Sequence, residues 1–430
     1  MEYLLTTKDN QVFAAFASGE RSTFALPELD SNGNFIQYNQ KTEYAFWGEK
    51  NTLPAQIREV TLQNHIAPAL LDFKTTATVG KGIITYIERT EGDRIYKEIV
   101  NIPEIDDFLS ANGYHEENMD KLIEFSTDFH WYENIFCEMI RSNGGKVIQI
   151  NHLDCIFTRS GKKNKNGNVT HLYVSEKFGH TKERTVSPSD IQKIPYYNPA
   201  ANQPKFGVHF KKPTPGFLYY PPAPWHSSEL WMRLGTSIPL VKASAIRNAM
   251  DIKYHIQIPE SYFISLYPQG QYSKEDREKA KKKIIEQLND FLVGQTNAKK
   301  AVTTFYPVDP ITGKEMPGIK IEPLTDPTNH SAYLDDDERA TAAICSAHNV
   351  NPSLANILLR NSLSGQSGNQ LRYAFDLWTQ LYAYIPRQYI LRPLYLVKKI
   401  NGWNKDIKFG FKDLKLETLD ANPTGSTNAI

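Results

Sequence analysis

The segment from Asp335 to Trp403 constrains the fold more than any other stretch, because it alternates helix, break, loop and helix. Asp335-Asp336-Asp337-Glu338-Arg339-Ala340-Thr341-Ala342-Ala343-Ile344-Cys345 reads as an alanine-rich helix. Asn351-Pro352 is predicted to end it, since proline lacks an N–H and pushes the residue before it out of the α region. A loop of small polar residues follows, Asn361-Ser362-Leu363-Ser364-Gly365-Gln366-Ser367-Gly368-Asn369. Then Leu371, Phe375, Trp378, Tyr382 and Ile385 recur at helical spacing, which predicts one long helix with an apolar face. Pro386 and Pro393 are expected to kink it. An uncharged loop between two helices suits a moving polymer better than a bound metabolite.

Composition narrows the function further. The 430 residues suffice for two or three domains, or for one elongated subunit. The formal charge is only +1, whereas a dedicated nucleic-acid reader carries a large basic excess. Tight, sequence-reading DNA binding is therefore not expected, and weak, transient contact stays open. Mean hydropathy is −0.48, with 23 Tyr and 21 Phe, a polar and aromatic balance common at protein–protein contacts. Cys137, Cys155 and Cys345 are odd in number and widely spaced, so they read as buried free thiols, not a disulfide framework or zinc site. The opening Met1-Glu2-Tyr3-Leu4-Leu5-Thr6-Thr7 has no basic leader with an apolar run, and no stretch is long enough to span a membrane. The expected setting is the cytosol, or a particle assembled there.

The remaining elements follow from local pattern. Pro54 and Pro68 each open a predicted helix, the second reaching Thr78, and Ile83–Ile87 reads as a strand. Asn118–Tyr132 is predicted helical. Ile135–Ile140 and Val147–Ile150 flank Ser142-Asn143-Gly144-Gly145, a hairpin signal. Ile156–Arg159 and Val169–Val174 flank a second, basic turn, Gly161–Gly167, which reads as a solvated tip. A helix is expected from about Ile238 to Ile258, then strand-like Tyr262–Leu266. Ser273, with Asp276 three residues on, predicts the N-cap of an amphipathic helix ending at Gly294. Strands are expected over Ala301–Tyr306 and Gly318–Ile321, and the tail beyond Lys415 is expected to be disordered.

Taken in this order, several stretches resemble the portal proteins of tailed bacteriophages (or prophages), the HK97-like/SPP1-like portal family. Trp47-Gly48 with Leu53-Pro54, and Val79-Gly80-Lys81-Gly82, are similar to the opening helices of the wing. Phe136–Arg141, Gly144–Val147 and Ile150–Asp154 are similar to its β-region. Gly235-Thr236-Ser237-Ile238-Pro239-Leu240 resembles the start of the first stem helix, and Asn297-Ala298-Lys299-Lys300 a clip motif. Asp335–Arg339 and His348-Asn349-Val350-Asn351-Pro352 resemble the second stem helix and the segment after it, with Asn351 an insertion relative to the family pattern.

The resemblance implies an α+β portal fold. Its parts would be a wing over residues 1–234, stem helix 1 over 235–259, a clip over 260–327 and stem helix 2 over 328–350. A tunnel-loop region over 351–370, a long kinked wing helix over 371–403 and a partly disordered tail over 404–430 would follow, with the crown reduced or absent. It implies a homo-oligomeric ring, a dodecamer in this family, at a capsid vertex of the virion, assembled in the host bacterial cytoplasm. Double-stranded DNA would pass without sequence specificity. The partners would be the terminase large subunit, a head–tail adaptor, and the major capsid protein or scaffold. The resemblance makes Arg360, Asn361, Ser362, Ser364, Gln366, Ser367 and Asn369 the channel-facing loop. It makes Lys279, Lys281, Lys282 and Lys283 a docking surface on the clip.

The expected protein is not an enzyme and uses no cofactor. It has no phosphate-cradling G-x-x-x-x-G-K-[ST], so it cannot itself be the packaging motor. Asp335–Glu338 could serve a metal-dependent nuclease, but adjacent acids on a helix diverge, and acids in a first turn are accounted for by the helix dipole. The lysine run could equally be a solvated helix face. His255, His330 and His348 show no ligand spacing and are assigned no chemistry. Two other readings stay open: a different head–tail connector or minor capsid protein, and the nuclease.

Overall fold

The computed structural model of the chain describes residues 42–92, 94–179, 186–248, 254–258, 263, 267–268, 270–293, 320–323, 330–357 and 368–414. Helix and sheet are mixed, and the chain divides into two units: Met1–Pro239 with Leu334–Ile430, and Leu240–Tyr333.

The larger unit opens with helices α1 (Leu53–Gln63) and α2 (Ala67–Val79). Pro54 and Pro68 each sit in a first turn, where an N–H has no intrahelical acceptor to lose. Asn64 fixes the corner between them. Its Oδ1 accepts from the Ile66 and Ala67 N–H groups at 2.9 and 3.0 Å, and its Nδ2 donates to the Met232 carbonyl at 3.1 Å. Strands β1 (Ile83–Glu91) and β2 (Arg94–Ile99) form a hairpin. Helices α3 (Pro103–Ala111) and α4 (Asp120–Tyr132) lead to β3 (Asn134–Arg141) and β4 (Val147–Leu153). This second hairpin carries a register shift at Ile140/Arg141, and its turn uses Gly145 at φ +80°. Short strands β5 (Thr158–Ser160), β6 (His171–Val174) and β7 (Gln192–Pro195) make a separate antiparallel sheet. Strand β8 (Lys205–Lys211) returns to the free side of β3, giving the order β4-β3-β8. Helix α5 (Glu229–Asn248) closes this part.

In the smaller unit, β9 (Tyr254–Gln257) precedes helix α6 (Lys274–Val293) and pairs antiparallel with β10 (Lys320–Pro323). The chain re-enters the larger unit along α7 (His330–His348), then runs through α8 (Gly368–Leu381), α9 (Tyr384–Ile390), α10 (Arg392–Asn401) and β11 (Ile407–Phe411). Strand β11 pairs antiparallel with the first half of β1, so a strand from the end of the described chain completes a sheet begun near its start.

Two large apolar clusters, with a small third around Tyr44, Tyr173, Phe178 and Val186, hold the larger unit together. One joins Trp47, α1, α2, Trp225 and Met232 to Ile344 of α7 and Phe375 and Trp378 of α8. The other joins α3, α4 and the β4-β3-β8 sheet to Leu394, Val397, Trp403 and Phe409. Each fully buried large side chain contributes about 1.5–3 kcal/mol relative to exposure. The first cluster contains a buried cation. Arg159 is fully buried and has no carboxylate partner among the described residues. Its guanidinium donates to the carbonyls of Cys155, Ile156, Thr158 and Asn51 at 2.8–3.1 Å, and to Asn51 Oδ1 at 2.6 Å. Burial brings Arg159 down to about 10, and the carbonyl cage satisfies the donors that burial would otherwise strand. Cys137, Cys155 and Cys345 are free and buried, as their spacing predicts.

Three sequence expectations need correction. The long helix from Leu371 is three helices. Pro386 and Pro393 remove two N–H donors from the ladder, and Leu381 is followed by a turn. The predicted apolar stripe splits there: Phe375 and Trp378 are buried, but Tyr382 and Ile385 are 46% and 43% exposed. The first long helix begins at Glu229, not near Ile238, and gives way to strand β9 before Ile258. Pro239 sits inside it, not at its start. The tail expected over 404–430 carries β11, whose Ile407 and Phe409 are core residues, and its part beyond Leu414 lies outside the described residues.

Candidate functional site

The junction between α7 and α8 is built residue by residue from capping. One face of α7 carries Ala340, Ile344 and His348, with Thr341 and Cys345 beside them; all five are buried. The helix stops at Asn349, which adopts φ +55°. The Asn349 N–H donates to the Ser346 carbonyl at 3.0 Å and the Val350 N–H to the Cys345 carbonyl at 3.2 Å. This double bond pattern with a left-handed Asn is a Schellman stop. The helix therefore ends two residues before the Asn351-Pro352 pair. That pair does a different job: Asn351 Oδ1 accepts from the Ser353 N–H at 3.1 Å and caps a 3₁₀ turn over Pro352–Ala355. A second left-handed residue, Asn356 at φ +55°, turns the chain so that Ile357 is buried.

Of the sequence-derived loop, Arg360, Asn361, Ser362, Ser364, Gln366 and Ser367 lie outside the described residues. Asn369 lies in the first turn of α8 and is exposed. Beyond it α8 is anchored by Phe375 and Trp378, whose rings meet Phe73 of α2 edge-on at centroid distances of 6.4 and 5.2 Å. Both ends of the loop are thus tied to the first apolar cluster.

In the smaller unit, α6 starts as its sequence predicts. The Ser273 hydroxyl accepts from the Asp276 N–H at 3.2 Å and donates to the Asp276 carboxylate at 2.7 Å. The four lysines do not form one surface. Lys279, Lys282 and Lys283 are exposed and spaced i, i+3, i+4, so they share a face. Lys281 is half-buried, 3.9 Å from Glu278 and 5.5 Å from the Phe263 ring centroid. Strand-like Tyr262–Leu266 lies outside the described residues apart from Phe263, as does Ala301–Tyr306.

The acids of α7 also differ from expectation. The helix begins at His330, so Asp335–Glu338 sit beyond its first turn and do not cap it. Among the described residues no group of three His, Cys, Asp or Glu side chains is arranged to hold a metal ion. Nor is any described helix long and apolar enough to cross a membrane.

Comparison with known proteins gives a fold but no sequence relative. No family model matches the chain, and no curated protein matches it in sequence. In structure, it is similar to a chain from the neck of a native gene transfer agent particle computed with C12 symmetry, with a TM-score of 0.58 at 13% identity over 86% of each chain. A chain from the virion of the native gene transfer agent particle gives a TM-score of 0.57 at 13% identity, covering 86% of this chain and 85% of that one. A crystal structure of an HK97 family phage portal protein from Corynebacterium diphtheriae gives a TM-score of only 0.34 at 10% identity, covering 83% of this chain and 95% of that one. Over most of its length, this chain has the fold of chains that build the virion and neck of a gene transfer agent particle.

Proposed function

We propose that the chain is the subunit of a portal ring at a capsid vertex, a conduit for double-stranded DNA during packaging and ejection. The observation that carries the reading is the fold likeness, spanning 86% of both chains, to a component of a neck with twelve-fold symmetry. A heterologous, head-to-tail contact repeated around an axis closes such a ring. In this reading the larger unit supplies the wing, with α8–α10 in place of the single wing helix. Helices α5 and α7 are the stem, and the Leu240–Tyr333 unit carries the clip. The exposed face of Lys279, Lys282 and Lys283 docks the terminase large subunit and later a head–tail adaptor.

The loop between the capped end of α7 and the start of α8 faces the channel. Short polar side chains there can hydrogen-bond phosphates in passing, without the fixed charge that would hold a duplex in place. The subunit is structural and non-enzymatic, and energy comes from the partner motor. Its place is the virion, after assembly in the host cytoplasm.

Electron microscopy of the purified protein tests the proposal. Rings with an axial hole wide enough for a duplex are expected; a monodisperse monomer, in solution and within particles, would rule it out. Deleting Ser362–Gly368 should leave rings intact and impair DNA packaging or retention. Loss of rings in that variant would make the loop an assembly element instead.

A further inference from the structure

A cavity of about 210 Å³, open to solvent on one side, lies in the larger unit between α2, the end of α4, the segment before α5, the end of α7, and α8–α9. It is larger than a single water requires. Its apolar wall includes Phe129, Leu381 and Ile385. Its polar lining is unmatched. His348 is 2% exposed, is stacked on Trp225 with ring centroids 4.8 Å apart, and neither of its ring nitrogens has a hydrogen-bond partner among the described residues. Trp378, 3% exposed, has an indole N–H without an acceptor among them. Lys74 makes no ion pair or hydrogen bond among the described residues, whereas the neighbouring Lys212 is paired with Glu133 at 2.7 Å.

The inventory of what is missing identifies a ligand class. An indole N–H can only donate, an ammonium can only donate, and a neutral imidazole offers one donor. These groups need an acceptor, and Lys74, partly buried, has no paired counter-charge among the described residues. Glu133 accepts from Lys212 through one oxygen while its other oxygen has no partner among the described residues, so two lysines and one carboxylate line the cavity and a single positive charge is left over. The apolar wall calls for a hydrocarbon body next to that anion.

We propose that this cavity is a binding site for a small organic monocarboxylate, its carboxylate held by Lys74, His348 and the Trp378 indole N–H and its apolar body against Phe129, Leu381 and Ile385. Burial lowers Lys74 to about 8 and holds the His348 imidazole well below its ordinary range. A bound carboxylate restores the charged form of both, because an opposite charge nearby outweighs lost solvation.

Benzoate is the probe, applied to the full chain, with benzamide as its uncharged counterpart and chloride at matched ionic strength. The expected result is a saturable rise in melting temperature with benzoate only, as for any ligand that binds the folded state. The Trp378 indole N–H resonance should move over the same concentrations. In Lys74→Met, which keeps the aliphatic stem, the apparent affinity should fall about tenfold or more, the usual effect of losing a charge-assisted hydrogen bond. If Lys74→Met does not fold, Trp378→Phe should weaken binding by removing one donor while keeping an aromatic ring. An equal response to benzoate and benzamide, an unmoved indole resonance, or unchanged affinity in the variant that folds overturns the site.

Discussion

Two antiparallel hairpins, alike in sequence pattern, meet opposite fates. In the β3–β4 hairpin the first six residues of β3 are buried, and β8 covers its second edge. In the β1–β2 hairpin every residue of β2 is exposed, including Ile95 and Ile99 at 69% each and Tyr96 at 48%. Only the first half of β1 is buried, where β11 pairs with it. Alternation along a strand therefore says that a sheet forms, not what lies on it. A hairpin with apolar residues on an uncovered strand is what a subunit of an assembly displays when seen alone, in line with the proposed ring.

The contrast can be broken most forcefully at the covered hairpin. Phe136 is fully buried and stacks on His209 at 4.0 Å. Phe136→Ala should cost about 3–5 kcal/mol in chemical denaturation, and an unchanged midpoint would contradict its burial. Gly207 of β8 comes next: a Cβ there would lie 2.6 Å from Leu172 Cδ1 and 3.2 Å from Ile194 Cγ2. Gly207→Ala should therefore cost about 1–3 kcal/mol through overpacking.

Acid should sharpen the comparison further. His209 lies against Phe136, and its Nε2–H donates to Asn134 Oδ1 at 2.9 Å. Burial, and then Lys211, hold its imidazole well below its ordinary range, and burial brings His226 down to about 4. Both groups are neutral when folded and take up protons from about 6.5 when unfolded. The unfolded state then binds more protons, so stability falls as pH drops from about 6.5 towards 4. His152 opposes this: burial works against its charge, but the Asp128 carboxylate 2.7 Å away raises it. Replacing His209 by Gln should flatten the pH dependence of the denaturation midpoint. The smallest effect is expected at the open hairpin, where Ile95→Ser should change subunit stability by no more than about 0.5 kcal/mol. A loss of several kcal/mol there, measured on the isolated subunit, would mean that β2 is already covered.

Legibility in the sequence followed the range of the interactions. Local signals were read well: the proline-led starts of α1 and α2, the Gly144-Gly145 turn, and the Ser273–Asp276 cap all depend on neighbours within four residues. The Asn349 stop was readable too, since a left-handed Asn is a common helix end, but the louder Asn351-Pro352 pair masked it. Alternation in Ile407-Lys408-Phe409-Gly410-Phe411 was likewise a strand signal that nearby polar residues hid. The lysine cluster was visible as composition, whereas the turning of Lys281 away from its three neighbours was not. His348, Lys74 and Trp378 are separated by 30 to 304 positions in sequence, and no spacing rule could have gathered them.

The amino-acid order by itself determined where α1, α2 and α6 start, where the β3–β4 hairpin turns, and that the chain has neither the charge of a DNA reader nor the loop of an ATPase. These properties come from backbone sterics, from hydrogen bonds closed within a turn, and from net charge. Tertiary structure alone decided which strand faces are covered, that β11 closes the sheet of β1, and that three distant polar side chains share one cavity. The reason is that burial belongs to the packed arrangement: a residue's solvent and partners are set by segments hundreds of positions away.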